Sequence, residues 1–195
     1  MFTFLKKSKD DRKFWCADLS GNTGDEWYLN VPIDDNGTPL YFLSGKRFPK
    51  STVFHASIYK TGALVDVTFT LDANILVNDK VLNLLDGLCP DDFEAYQVVV
   101  KNCPIPYHAL NCKHVVDCLD AKRSNAKRWK KGEIGESKVG DYKSAYPLTI
   151  DTSRVPQGIH MFRIKNYAIS WIVSESIRER FVNAGVTGVT FTSVV

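Results

Sequence analysis

The chain has 195 residues, a length at which folding buries roughly 70% of the surface of the unfolded chain, so a core forms without disulfide or metal staples. Hydrophobic residues make up 44% and charged residues 24%, a globular balance that excludes collagen-like and disordered classes. No apolar run exceeds four residues, against about 20 for a membrane-spanning helix, and 25 basic against 22 acidic side chains is too even to announce a nucleic-acid binder.

At the N-terminus, Met1 to Leu5 runs directly into Lys6, Lys7 and Lys9. That apolar stretch is too short for a signal peptide, which implies a cytoplasmic protein. Strand patterns are expected at 27–31 and 40–43, flanking the turn residues Asp34 to Gly37, where Asn36-Gly37 suits positive φ. Residues 64–71 alternate, with Val65, Val67, Phe69 and Leu71 on one face and Asp66, Thr68 and Thr70 on the other. Further strands are expected at 95–101, 112–119, 146–150, 160–165, 167–173 and 188–194, with a hairpin around Lys165-Asn166.

Two helices carry start and stop signals. Asn78 caps a helix with Asp79 in its first turn, Val81, Leu82, Leu84 and Leu85 on a buried stripe, and Gly87 at its end. Ser174 caps the other, with Glu175 in the first turn, Ile177, Phe181 and Ala184 at i, i+4 and i+7, and Gly185 at its end. Packing is expected through Val81, Leu85, Ile177 and Phe181. The two segments open alike: Ile75 to Val81 resembles Trp171 to Ile177, 96 residues on. One reading is an internal duplication with lobes at 1–101 and 102–195; the other is that any strand running into a capped helix looks this way. Many strands with few helices give an α+β fold, with antiparallel or mixed sheets and a few packed helices.

The cysteines at 16, 89, 103, 112 and 118 are odd in number, which suits reduced thiols in a reducing compartment. Cys103, His108, Cys112, His114 and Cys118 form the one metal-like cluster. On a strand over 112–119, Cys112, His114 and Cys118 would splay about 7 Å apart at alternate positions and could not converge on one ion. Small buried cysteines are the better reading, and no cofactor or metal is expected. No nucleophile motif surrounds any cysteine, and no P-loop, Gly-x-Gly-x-x-Gly, Gly-x-Ser-x-Gly or His-Glu-x-x-His occurs. Asp117 and Asp120 would lie on opposite faces of a strand, one pairing with a cation and the other starting a turn. Phe162 should enter the core, and Arg163 should reach a carboxylate, Asp117 or Asp120; the alternative is that Arg163 belongs to a partner surface.

The remaining feature is 122–131, which holds six basic residues in ten and one tryptophan. Three readings stand. Lys127, Arg128, Trp129, Lys130 and Lys131 could grip phosphates with the indole stacking on a base. They could form a cationic patch with an aromatic anchor for a protein. They could be a solvated face with Trp129 packed inward.

The C-terminal half resembles the eleventh family of bacterial polymorphic-toxin immunity proteins. The matching stretches are Asn111 to Ser124, Lys138 to Tyr142, Leu148 to Asp151, Ile159 to Arg163, Ile172 to Glu175 and Ala184 to Phe191. A fainter match runs upstream through Trp27 to Leu29, Asn36-Gly37, Lys60 to Gly62, Asp66 and Ile75 to Asp79, so that 1–195 reads as one immunity-type domain. The basic stretch 122–131 departs from the family pattern. The resemblance implies a non-enzymatic inhibitor that binds a cognate toxin domain in the producing or sibling cell and carries over no catalytic residues; the even charge and the short apolar runs give no expectation of a nucleic-acid or membrane partner. The alternative is a nucleic-acid-binding module using 122–131.

Overall fold

The computed structural model describes residues 12–19, 27–42, 47–133 and 138–194. Residues Met1 to Leu5, read above for a signal peptide, and Leu43 lie outside the described residues. Among the described residues the fold is α+β, with two five-stranded sheets and two α-helices. One sheet holds β3 (Phe54–Ala56), β5 (Val67–Phe69), β6 (Ile75–Asn78), β7 (Phe93–Val100) and β8 (Tyr107–Cys112), in the order β3-β7-β8-β6-β5. The other holds β1 (Phe14–Leu19), β9 (Val115–Val116), β12 (Met161–Ile164), β13 (Tyr167–Ser174) and β14 (Val189–Ser193), in the order β14-β1-β13-β12-β9. Each sheet is antiparallel apart from one parallel pair, β3 with β7 and β9 with β12. Two short ribbons pair β2 (Tyr28–Leu29) with β4 (Ile58–Lys60) and β10 (Lys127–Arg128) with β11 (Tyr142–Ser144).

Helices α1 (Asp79–Asp86) and α2 (Glu175–Asn183) begin where their caps predict. The side chains of Asn78 and Ser174 accept the backbone N–H groups of Val81 and Ile177, each satisfying a donor that the first turn leaves orphaned. Val81, Leu85, Ile177 and Phe181 are all buried. They meet in one core between the two sheets, together with Val67, Ile75, Val77, Phe93 and Leu110 from one sheet and Ala17, Met161, Trp171 and Val173 from the other. The alternation along each central strand explains the layering. Ile75 and Val77 face this shared core while Leu76 faces outward; Trp171 and Val173 face it while Ile172 faces outward. Each outer face then has its own cover. Trp27, Leu29, Leu40 and Phe42 cover the first sheet. Cys118, Leu119, Ala145, Ile150 and Val155 cover the second.

The two sheets repeat one arrangement. In each, a hairpin (β5-β6 or β12-β13) leads into a capped helix and a return strand, and a third strand fills the gap between them. The register repeats as well. Ile75 pairs with Leu110, which pairs with Ala95; Trp171 pairs with Ala17, which pairs with Phe191. The gap-filling strand is β8 in one sheet and β1 in the other, so sheet membership does not divide at residue 101.

Several strands differ from expectation for physical reasons. Residues 27–31 pair with β4 rather than with 40–43, although Ile33 and Pro39 do bridge across the turn. Leu71 lies outside β5 and is exposed; the strand is covered on both faces, Thr68 donating its hydroxyl to the Trp27 carbonyl. Residues 112–119 are not one strand: β8 ends in the first sheet at Cys112 and the chain crosses to the second as β9. Residues 146–150 form a loop, and Ile150 bridges only Leu119, which lies outside both sheets; a proline at the second position removes a ladder donor.

The halves are joined by carboxylates accepting backbone N–H groups. Asp92 accepts from His160 at 2.6 Å and Met161 at 3.1 Å. Asp66 accepts from the Thr187 N–H at 2.9 Å and also from Asn78, Lys80 and the Thr187 hydroxyl. Burial pushes the Asp66 carboxyl up, but these donors outweigh it and hold the group below the usual aspartate range. A lowered value stabilises the fold fully above the ordinary aspartate range, and that contribution is lost as the pH falls through the lowered value. Asp66→Asn should therefore reduce stability at neutral pH and flatten the acid limb of the stability–pH curve, measured by urea unfolding. An acid limb identical to the parent's would refute the role given to Asp66.

Candidate partner-binding face

The basic segment folds into a ribbon that stands on the second sheet's outer cover. Asp120 opens the turn before it by accepting the Arg123 N–H at 2.9 Å, and Asp117 lies 3.9 Å from Lys165. These are the two roles expected of the pair. Trp129 extends the ribbon past β10: its N–H donates to the Asp141 carbonyl and its carbonyl accepts the Gly140 N–H.

The five predicted partner-binding residues divide into two groups. Arg128 is engaged within the ribbon, its guanidinium 3.9 Å from the Tyr142 ring centroid and donating to the Tyr142 hydroxyl at 2.7 Å and to the Gly140 carbonyl. Trp129 is half-buried, with the Lys143 ammonium 5.2 Å from its ring centroid. Lys143 also donates to Glu133 at 2.8 Å; this bond, with the Lys130 N–H, holds the Glu133 carboxyl below its usual range. Lys127, Lys130 and Lys131 are exposed and have no carboxylate within ion-pair distance among the described residues. Arginine and tryptophan thus build a rigid frame, and the lysines present the charge.

Two concavities adjoin the ribbon. A cleft of about 210 Å³ lies beside it, lined by Trp129, Lys138, Asp141, Lys143 and the start of β13. A groove of about 480 Å³ continues from it past Tyr167 and Ile169, which line both. Cys16, Asp18, Ser170 and Thr192 contribute from the sheet, and Tyr146, Pro147 and Leu148 from the loop beside it. Tyr146 is 84% exposed and Ile169 52%. The sequence pattern gave no sign of this groove, because 146–150 reads as a strand until the fold lifts it off the sheet.

The other predicted chemistry is dispersed. His108 pairs with Asp79 at 2.7 Å and His114 with Asp92 at 3.2 Å, while Cys112 lies against the Met161 sulfur. Among the described residues no group of three or more His, Cys, Asp or Glu side chains could hold a metal ion. The five cysteines are unpaired. Burial pushes the Cys16, Cys89 and Cys118 thiols up to about 12, and Cys112 upward too. These are poor nucleophiles at neutral pH.

Arg163 corrects an expectation. Phe162 is fully buried as predicted, but Arg163 is only 2% exposed and pairs with no carboxylate among the described residues. Its guanidinium donates to the Ala168 carbonyl at 2.6 Å and the Ala73 carbonyl at 3.0 Å, tying the β5–β6 turn of one half to β13 of the other. Burial draws its pKa down, opposed by the neighbouring Cys112 and Cys16 thiols. Asp117 and Asp120 lie at the surface end of the crossover, where Arg163 cannot reach them from inside.

Among the described residues no helix is long and apolar enough to cross a membrane. The family model described as an immunity protein family, Imm11, matches residues 23–195. No curated protein matches the chain.

Proposed function

Because the chain belongs to the Imm11 immunity protein family, we propose that it neutralises one cognate toxin domain by forming a stable complex with it in the cytoplasm of the producing or sibling cell. It turns over no substrate. The family match over 23–195 carries the reading. Raised thiol pKa values speak against a cysteine nucleophile and so support inhibition by binding. An inhibitor of this kind needs a preformed complementary surface and slow dissociation.

The ribbon of Lys127, Arg128, Trp129, Lys130 and Lys131 is the surface we assign to the toxin. Its lysines steer an acidic partner, and its Arg128–Tyr142 and Lys143–Trp129 stacks keep it rigid before contact. The Lys143 ammonium over one face of Trp129 disfavours base stacking on that face.

Coexpression with the toxin domain encoded in the neighbouring open reading frame tests the function. Cells making both proteins should grow where toxin alone arrests them. Arrest despite both proteins being soluble would overturn the immunity reading.

A further inference from the structure

We propose that the groove between β1, β13, β14 and the Tyr146–Leu148 loop receives an apolar or aromatic side chain from an acidic loop of the toxin domain. This rests on the immunity reading above and adds the place and chemistry of the anchor.

The internal repeat shows why the groove is there. Tyr96 on β7 and Thr192 on β14 hold equivalent places: Tyr96 pairs with Ala109 on the gap-filling strand, and Thr192 pairs with Cys16. In the first sheet Tyr96 is 1% exposed, packed by Phe42, Phe48 and Phe54 with ring centroids at 5.4, 6.0 and 6.1 Å. The first half supplies its own aromatic plug and cover. In the second sheet the corresponding side chain is a small, exposed threonine, and the space beside it is a groove of about 480 Å³. That volume suits one large side chain with its flanking backbone.

The walls have the character of a binding anchor. Tyr146 is held by its backbone, its N–H donating to the Ser124 carbonyl at 2.7 Å and its carbonyl accepting from Asn125 at 3.2 Å. Its ring nevertheless projects with 84% exposure. An exposed tyrosine on a hydrogen-bonded backbone, beside a groove of mixed polar and apolar lining, offers a large contact area with only two side-chain torsions to fix, which is why tyrosine is frequent among hot spots. A second groove of similar volume, lined by Ile33, His55 and Val99, lacks this aromatic rim.

Charge selects the occupant. The groove shares Tyr167 and Ile169 with the cleft lined by Lys138 and Lys143; Lys143 is paired with Glu133, so the positive charge comes from Lys138 and from the exposed Lys127, Lys130 and Lys131 of the adjoining ribbon. The carboxylates lining these spaces are Asp18 in the groove and Asp141 in the cleft. An incoming loop therefore meets cations on its ribbon side, where glutamate and aspartate are favoured. A nucleic acid would use the lysines and leave the groove empty.

The test uses the full chain and the toxin domain encoded in the neighbouring open reading frame. Thr192→Trp plugs the groove as tyrosine does in the other half, and Tyr146→Ala removes its rim. Each should weaken binding about tenfold or more, mainly through faster dissociation. The triple change Lys127→Glu, Lys130→Glu, Lys131→Glu should instead slow association and flatten its salt dependence. Unaltered affinity in both Thr192→Trp and Tyr146→Ala, with the parent still protecting cells, would overturn the groove while immunity stands. A parent chain that neither binds nor protects would overturn both readings. Tight binding of a single-stranded oligonucleotide, abolished by the triple change and not displaced by the toxin domain, would replace the protein partner with a nucleic acid.

Discussion

Replacing Gly188 by alanine should destabilise the protein by about 4 kcal/mol or more, at the extreme end for a single substitution. Gly188 has φ +86°, and a Cβ added there would lie 2.0 Å from the Val67 carbonyl oxygen and 2.7 Å from a Val65 methyl. The obstacle cannot swing away. It is backbone, in a strand held to this loop by the Val67 N–H donating to the Thr187 carbonyl at 3.0 Å. Relief would require separating β5 from the loop that follows α2, and with it the seam between the two sheets. Gly158 provides the control, because it has φ +79° but nothing within 4 Å of an added Cβ. Gly158→Ala should show only the conformational cost of a left-handed backbone, about 1–2 kcal/mol. Urea unfolding of both variants measures the difference. Equal losses at the two positions would mean that the close approach at Gly188 is absent in solution.

Truncating Phe181 to alanine should cost about 3–5 kcal/mol, a typical penalty for emptying an aromatic site in a core. The ring is 1% exposed and sits edge-on to Trp171 at 6.3 Å and Phe191 at 6.2 Å. It belongs to the core in which α1 and α2 meet both sheets, so neighbours on several elements lose contact together. At this chain length the thermal midpoint should fall by about 10 °C. Val182, the next residue on the same helix, is 57% exposed; Val182→Ala should stay within about 0.5 kcal/mol. A Phe181→Ala variant as stable as Val182→Ala would place the helix on the wrong face.

Much of the fold was legible because its signals are local. A cap residue binds an N–H within its own turn, so Asn78 and Ser174 marked both helix starts without knowledge of the sheets. The stripe of Val81, Leu85, Ile177 and Phe181 follows from the helical period alone. The 160–173 hairpin was readable because Asn166, at φ 61°, can take the left-handed turn. Where environment decides, the pattern misled. Alternation placed Leu71 inside, but the chain turns before it is reached. The pattern of 112–119 gave no hint that the chain changes sheets after Cys112.

By itself the sequence determined the fold class, the two capped helices, the family and the basic segment, all set by short-range pattern or by ordered motifs. Tertiary structure alone decided that β1 completes the C-terminal sheet and β8 the N-terminal one, because strand pairing joins residues without regard to their separation along the chain. It also decided that Arg163 binds carbonyls of both halves rather than a surface carboxylate. Finally, it decided that the outer face beside Thr192 lies open while that beside Tyr96 is filled. That contrast depends on which residues from outside each sheet cover it: Phe42 and Phe48 reach the first, and the Tyr146–Leu148 loop leaves a groove on the second.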